Sequence, residues 1–157
     1  MTSVARWVGV HRFAVAGGET GIARAVGDRV GRVWLARSRF ADVARLAELT
    51  LSLGEDPGAF YHLGWAKHRT GLPRAALVAY EEALRLYRAG GERGNEAGTL
   101  SSIGLVYDGL GERARARALE FYQQALPTLQ AGLAEIRALR PPPGRRSPDL
   151  PTGVSRP

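Results

Sequence analysis

The chain has 157 residues, 45% of them hydrophobic and 24% charged, a size and balance that suit one modest domain. It contains no cysteine, which excludes disulfides, thiolate catalysis and cysteine-bound metal, and it has no apolar run near the roughly eighteen residues that a membrane span needs. The net charge of +7 is spread thinly: eight Arg face six acids over residues 1–57, nine basic residues face seven acids over 58–126, and the rest of the chain carries the remainder.

Taken in chain order, residues 1–21 are punctuated by glycine and show no clear period, so they carry no assigned element. His11 and Arg12 interrupt the apolar stretch that a signal peptide requires, and the chain is read as cytoplasmic. From Ile22 to Leu53 the apolar residues Val26, Val30, Val33 and Trp34, then Val43, Leu46, Leu49 and Leu53, fall at three- and four-residue spacings. That is the period of an amphipathic helix, and a break near Ser38-Arg39 divides it into two. Gly54 and Pro57 end the second helix.

Beyond Pro57 a fixed order of residues recurs. Leu63-Gly64, Gly71, Ala76, Tyr80 and Ala83-Leu84 are answered by Ile103-Gly104, Gly111, Ala118, Tyr122 and Ala125-Leu126. Self-similarity of this period marks stacked helical hairpins, units too small to bury both faces alone. Within the first unit Gly71 stops one helix and Pro73 opens the next, where its missing N–H is not needed. Small residues at Gly64, Ala76 and Ala83 admit close approach of the two helices, and Tyr80 and Leu84 fill the space around them. Residues 129–140 carry Leu129, Leu133, Ile136 and Leu139 at helical spacing and are expected to form a final helix that stacks on Leu119 and Tyr122, as a cap or as the start of another repeat. From Pro141 the Pro, Gly, Ser and Arg of the tail cannot bury enough apolar surface to offset ordering entropy, and residues 141–157 are expected to be disordered.

The order Leu63-Gly64, Gly71, Ala76, Tyr80, Ala83-Leu84, and its counterpart with Tyr107 and Tyr122, resembles the tetratricopeptide repeat (TPR) family. The forty residues from Gly64 to Gly104 resemble its longer-period subclass, found in bacterial regulatory and scaffold proteins. The resemblance covers repeats at 58–91 and 97–128 and, in degraded form, 24–57, through Val30-Gly31, Trp34, Phe40, Ala47, Leu51 and Pro57. It implies an all-α fold of antiparallel helical hairpins stacked as a short right-handed solenoid over residues 22–140. Departures are local. Lys67 stands where a large ring is usual, Val43 where a small alanine is typical, and GERARARAL holds one Arg-Ala more than the family's hairpin turn, so a longer turn or an extended helix is expected there. Ser102 replaces the asparagine that in this subclass holds a peptide backbone.

The same resemblance implies that the first helix of each pair lines a groove for a protein or peptide partner. The groove-facing residues would be Tyr61, Trp65, His68 and Arg69 in one unit and Ser101, Leu105 and Asp108 in the next. Aromatic and arginine anchors at four- and three-residue spacing share one helix face and are the types that dominate interface energetics. Tyr61 and Trp65 stand where members that clamp a C-terminal carboxylate need Lys and Asn, so an acidic tail is not the expected ligand.

Nothing in the chain has the spacing of catalysis. His62 and His68 are six apart and point to different faces, Glu81-Glu82 are adjacent and diverge, and the glycines near residue 17 lack the Lys-Ser/Thr ending of a phosphate loop. No enzyme activity, metal or cofactor is expected. Two other readings remain: a basic nucleic-acid-associated protein using Arg113, Arg115, Arg117, Arg145 and Arg146, and a fragment of a larger regulator without a function of its own. Alternating arginines on a helix do not form one stripe, which argues against the first.

Overall fold

The computed structural model describes residues 4–139, apart from the side chains of 112 and 113. The disordered tail expected from residue 141, with Arg145 and Arg146, lies outside the described residues, as does the Arg113 side chain. Among the described residues all regular structure is helical: α1 (Val4–Ala16), α2 (Thr20–Ala36), α3 (Phe40–Leu51), α4 (Pro57–Arg69), α5 (Pro73–Ala89), α6 (Arg93–Gly109) and α7 (Glu112–Leu139). No helix among them is long and apolar enough to cross a membrane.

Local chemistry sets most of the boundaries. At the start of α4 the Asp56 carboxylate accepts from the Ala59 N–H at 2.7 Å and Pro57 occupies the first turn, while Lys67, His68 and Arg69 face the negative end of the helix dipole. Gly71, at φ +78°, makes the left-handed turn into α5, which opens on Pro73. Between α2 and α3 the same left-handed conformation falls to Ser38, at φ 56°. This is the expected break, made with a residue that adopts it at a cost of about 1–2 kcal/mol.

Each helix packs on its neighbours in sequence, and α2, α4 and α6 also touch one another in turn. Two apolar clusters result. Val26, Val30, Trp34, Val43 and Leu46 gather with Ala66 of α4 on the N-terminal side; Tyr80, Leu84, Leu100, Ile103, Val106 and Ala125 gather on the C-terminal side. Close approach is made at glycines. A Cβ on Gly64 would stand 2.7 Å from the Tyr80 ring, one on Gly104 would stand 2.6 Å from the Tyr122 ring, and one on Gly31 would stand 2.6 Å from Nδ1 of His62. The expected role of Gly64 beside Tyr80 is therefore seen.

The structure alters the expected boundaries at both ends. Residues 1–21, left unassigned, contain α1 and the start of α2, which begins at Thr20 rather than Ile22. Val4, Trp7 and Val8 pack against the N-terminal cluster, Ala14 is buried, and His11, fully buried, lies between them along α1. A histidine where the period calls for an apolar residue hid the helix. The separate capping helix expected at 129–140 is instead the end of α7, which runs unbroken through Pro127. Proline removes one intrahelical hydrogen bond, yet its φ is helical, and the alanines and leucines around it favour helix. Because α7 continues without a break, its last turns do not fold back as a cap: Leu133, Ile136 and Leu139 are 54%, 67% and 84% exposed. At the other end α7 begins directly after Gly111, so the extra Arg-Ala lengthens the helix and not the turn.

Candidate functional site

The residues expected to line a groove all fall on α4 and α6, the two helices that touch across the α4/α5 hairpin. Tyr61 is half-buried. Its ring lies 5.6 Å from Tyr80 and 5.9 Å, edge on, from Trp65, and its hydroxyl is 3.2 Å from Oγ of Ser102 on α6. Tyr61 therefore ties the two helices together as well as presenting an edge to solvent. Ser102, buried, donates to the Gly98 carbonyl at 3.0 Å, which leaves its oxygen to accept from the Tyr61 hydroxyl. Position 102, read from the sequence as a missing asparagine, is a bridge between helices. The signal that could have found it was the small hydroxyl facing a tyrosine hydroxyl one repeat earlier.

One turn beyond Tyr61 and Ser101 stand Trp65 and Leu105, 39% and 56% exposed. Ser101 donates to its own helix at the Ala97 carbonyl, 3.0 Å away. Asp108 reaches Nε of Arg115 on α7 at 3.4 Å, an exposed pair worth about 0–1 kcal/mol. His68 is half-buried, and burial first, then the neighbouring Arg69 charge, lowers its pKa below the ordinary value. Arg69 turns the other way: its guanidinium lies 5.5 Å over the Phe40 ring of α3. The structure thus brings Tyr61, Trp65 and the α6 residues to one pair of helices and directs Arg69 toward α3.

On α2, from which no site residue was expected, a further polar group faces α4. Asp28 pairs with Arg32 at 2.6 Å, and its carboxylate is 3.7 Å from Nε2 of His62. His62 is buried against Gly31. Desolvation lowers its pKa, more than offsetting the opposing pull of Asp28. A cleft of about 390 Å³ has Asp28 and Arg32 of α2, Gly58 of α4, Tyr87 of α5 and Asn95 of α6 among its walls and none of the expected groove residues.

The three histidines lie apart: His11 against Thr50, His62 against Asp28 and His68 beside Arg69. Arg115 is drawn onto Asp108, and Arg117 lies 5.7 Å over the Tyr107 ring, so these two arginines are engaged with α6. Comparison with family models, with curated proteins and with solved structures finds no match to the chain.

Proposed function

We propose that this protein is an interaction module of tetratricopeptide type, a scaffold or regulatory element that binds a protein or peptide segment along the first helices of its hairpins. The observation that carries the reading is the pair Trp65 and Leu105, exposed large apolar side chains at equivalent positions of α4 and α6, beside helices joined by the Tyr61–Ser102 hydrogen bond. A scaffold fixed by such a bond offers preorganised anchors, which lowers the ordering cost of binding. The recurrence of Gly64 against Tyr80 and Gly104 against Tyr122 supports the repeat assignment, since both glycines sit at the same register and meet a ring from the following helix. An apolar or aromatic segment of the partner would cover Trp65 and Leu105, while Asp28 and Arg32 would contact polar groups at its other end.

Affinity capture from a lysate with the wild-type chain and with a Trp65→Ala, Leu105→Ala variant tests the assignment. Both side chains are substantially exposed, so the variant should keep its circular dichroism spectrum and melting temperature. It is expected to lose proteins that the wild type retains, because truncating an aromatic anchor costs about 2 kcal/mol or more at an interface centre. Identical captured sets from a folded variant reject the groove.

A further inference from the structure

α7 carries a stripe of large apolar side chains that the other described helices leave uncovered. α6 and α7 form a hairpin that turns at Leu110 and Gly111, and α7 has 28 residues against 17 in α6, so from about residue 129 onward it extends past the end of its neighbour. Leu119, Leu126, Leu129, Leu133 and Ile136 are each between 46% and 67% exposed. With Leu139 they leave roughly 600 Å² of apolar surface in solvent, at the upper end of the largest patches found on monomers.

The spacing of the stripe says what kind of element fits it. From Leu119 through Tyr122, Leu126, Leu129 and Leu133 to Ile136 the steps alternate between three and four residues. A repeat of that period drifts slowly round a helix and matches a second helix lying alongside in a left-handed coil. Pro127 falls on the opposite side of α7 from this seam, where its missing N–H does not disturb it. The pattern also complements itself when reversed. In an antiparallel pair of α7 helices Leu119 meets Ile136 of a second copy, Tyr122 meets its Leu133 and Leu126 meets its Leu129, and the two-fold axis generates the same three layers again. Between Leu119 and Ile136 the flanking positions are Gln123 and Gln130 on one side and Ala125 and Gly132 on the other, so the seam brings no like charges together. Other segments of the chain fit less well. Residues 140–157 hold only Leu150 and Val154 as large apolar residues, and the outer face of α1 offers Val10 and Phe13 over a single turn.

The geometry points to a homodimer closed by two antiparallel α7 helices, with Leu126 and Leu129 at its two-fold axis. Doubled, the stripe passes the roughly 1,000 Å² that a specific interface should clear. The antiparallel sense sets the body of each chain, which packs on the first half of its own α7, against the free end of the other α7. Trp65 and Leu105 lie outside the seam, so the dimer does not rest on the groove and carries two copies of it.

Sedimentation equilibrium of the full chain tests this. The mass should rise with concentration from 16.9 kDa to twice that value and stop there, with a dissociation constant on the order of micromolar. Leu133→Glu with Ile136→Glu, two exposed positions, should keep the circular dichroism spectrum and weaken association at least tenfold, whereas Val10→Glu with Phe13→Glu should leave it unchanged. Because the chain has no cysteine, a short bis-maleimide reports the sense of the pair. Leu119→Cys and Ile136→Cys chains should cross-link when mixed and not when alone, since the two positions are about 25 Å apart along the helix. If the glutamate pair does not fold, the cross-linking decides. A chain that stays monomeric at about a hundred times the expected dissociation constant overturns the proposal. So do a mass that climbs past two copies, as an open head-to-tail contact would give, a dimer that persists in the folded glutamate variant, loss of association in the α1 variant, or cross-links from Leu119→Cys alone.

Discussion

Gly64 is held in contact with a ring that has nowhere to go. Tyr80 is 1% exposed, enclosed by Ala76, Leu84 and Ile103, and a methyl group on Gly64 would stand under 3 Å from three of its ring carbons. Alanine is the better helix former by about 1 kcal/mol, but overpacking of a filled core costs about 1–3 kcal/mol, and the ring has no free space into which to retreat. Gly64→Ala is therefore expected to lower stability by about 1–2 kcal/mol, read as a fall of about 3–8 °C in melting temperature. Gly98, inside α6, supplies the opposite case. A Cβ there meets nothing within 4 Å, so Gly98→Ala should raise the melting temperature by removing backbone freedom from the unfolded chain. Equal effects of the two substitutions would show that helix propensity and not ring contact governs Gly64.

At the scale of the helix, α7 combines two demands. Its first half packs on α6 through Phe121 on Tyr107, Tyr122 beside Gly104 and Ala125, and its second half carries on past Pro127 with its leucines largely in solvent. Tertiary contact holds the first half; the second rests on intrinsic propensity, in which one internal proline is a large cost. Pro127→Ala should restore one backbone hydrogen bond and strengthen α7 by up to about 3 kcal/mol, observed as greater helical ellipticity and slower amide exchange over residues 123–139. Unchanged exchange there would mean that the end of α7 is held by contacts that the exposures do not reveal. The same helix shows what the sequence could carry. The hairpins at α4/α5 and α6/α7 were legible because their turn glycines, Pro73 and the small residues of the close approach are specific chemical requirements. The continuation through Pro127 was not legible, since a proline, with no N–H to give the ladder, reads as a boundary until the helix is seen to run on past it. α1 was missed for a related reason: its central core residue, His11, is polar and owes its burial to Thr50, which lies on α3.

Across the whole molecule, the helices are joined by local contact between neighbours, and the polar joints fall where apolar pattern is weakest. His11 joins α1 to α3 through Thr50, His62 joins α4 to α2 through Gly31 and Asp28, and Tyr61 joins α4 to α6 through Ser102. That Tyr61, Trp65 and His68 share one face of α4 was legible from spacing, whereas these joints depend on pairs 30 or more residues apart and could not be read that way. They give the fold a pH dependence of definite sign. Burial lowers the pKa of His11, His62 and His68 below the ordinary imidazole value of 6.5, with Asp28 and Asp56 opposing and Arg32 reinforcing the shift at His62, and Arg69 reinforcing it at His68. The unfolded chain thus takes up these protons first. Stability is full above about pH 6.5, falls as pH drops through that value, and levels off only below the lowered folded-state values, where the folded chain protonates as well. The melting temperature at pH 5 should accordingly lie below that at pH 7.5. Asp28→Asn should widen the gap, because it removes the carboxylate that partly supports a charged His62, and a gap that closes in this variant would place the pH dependence elsewhere.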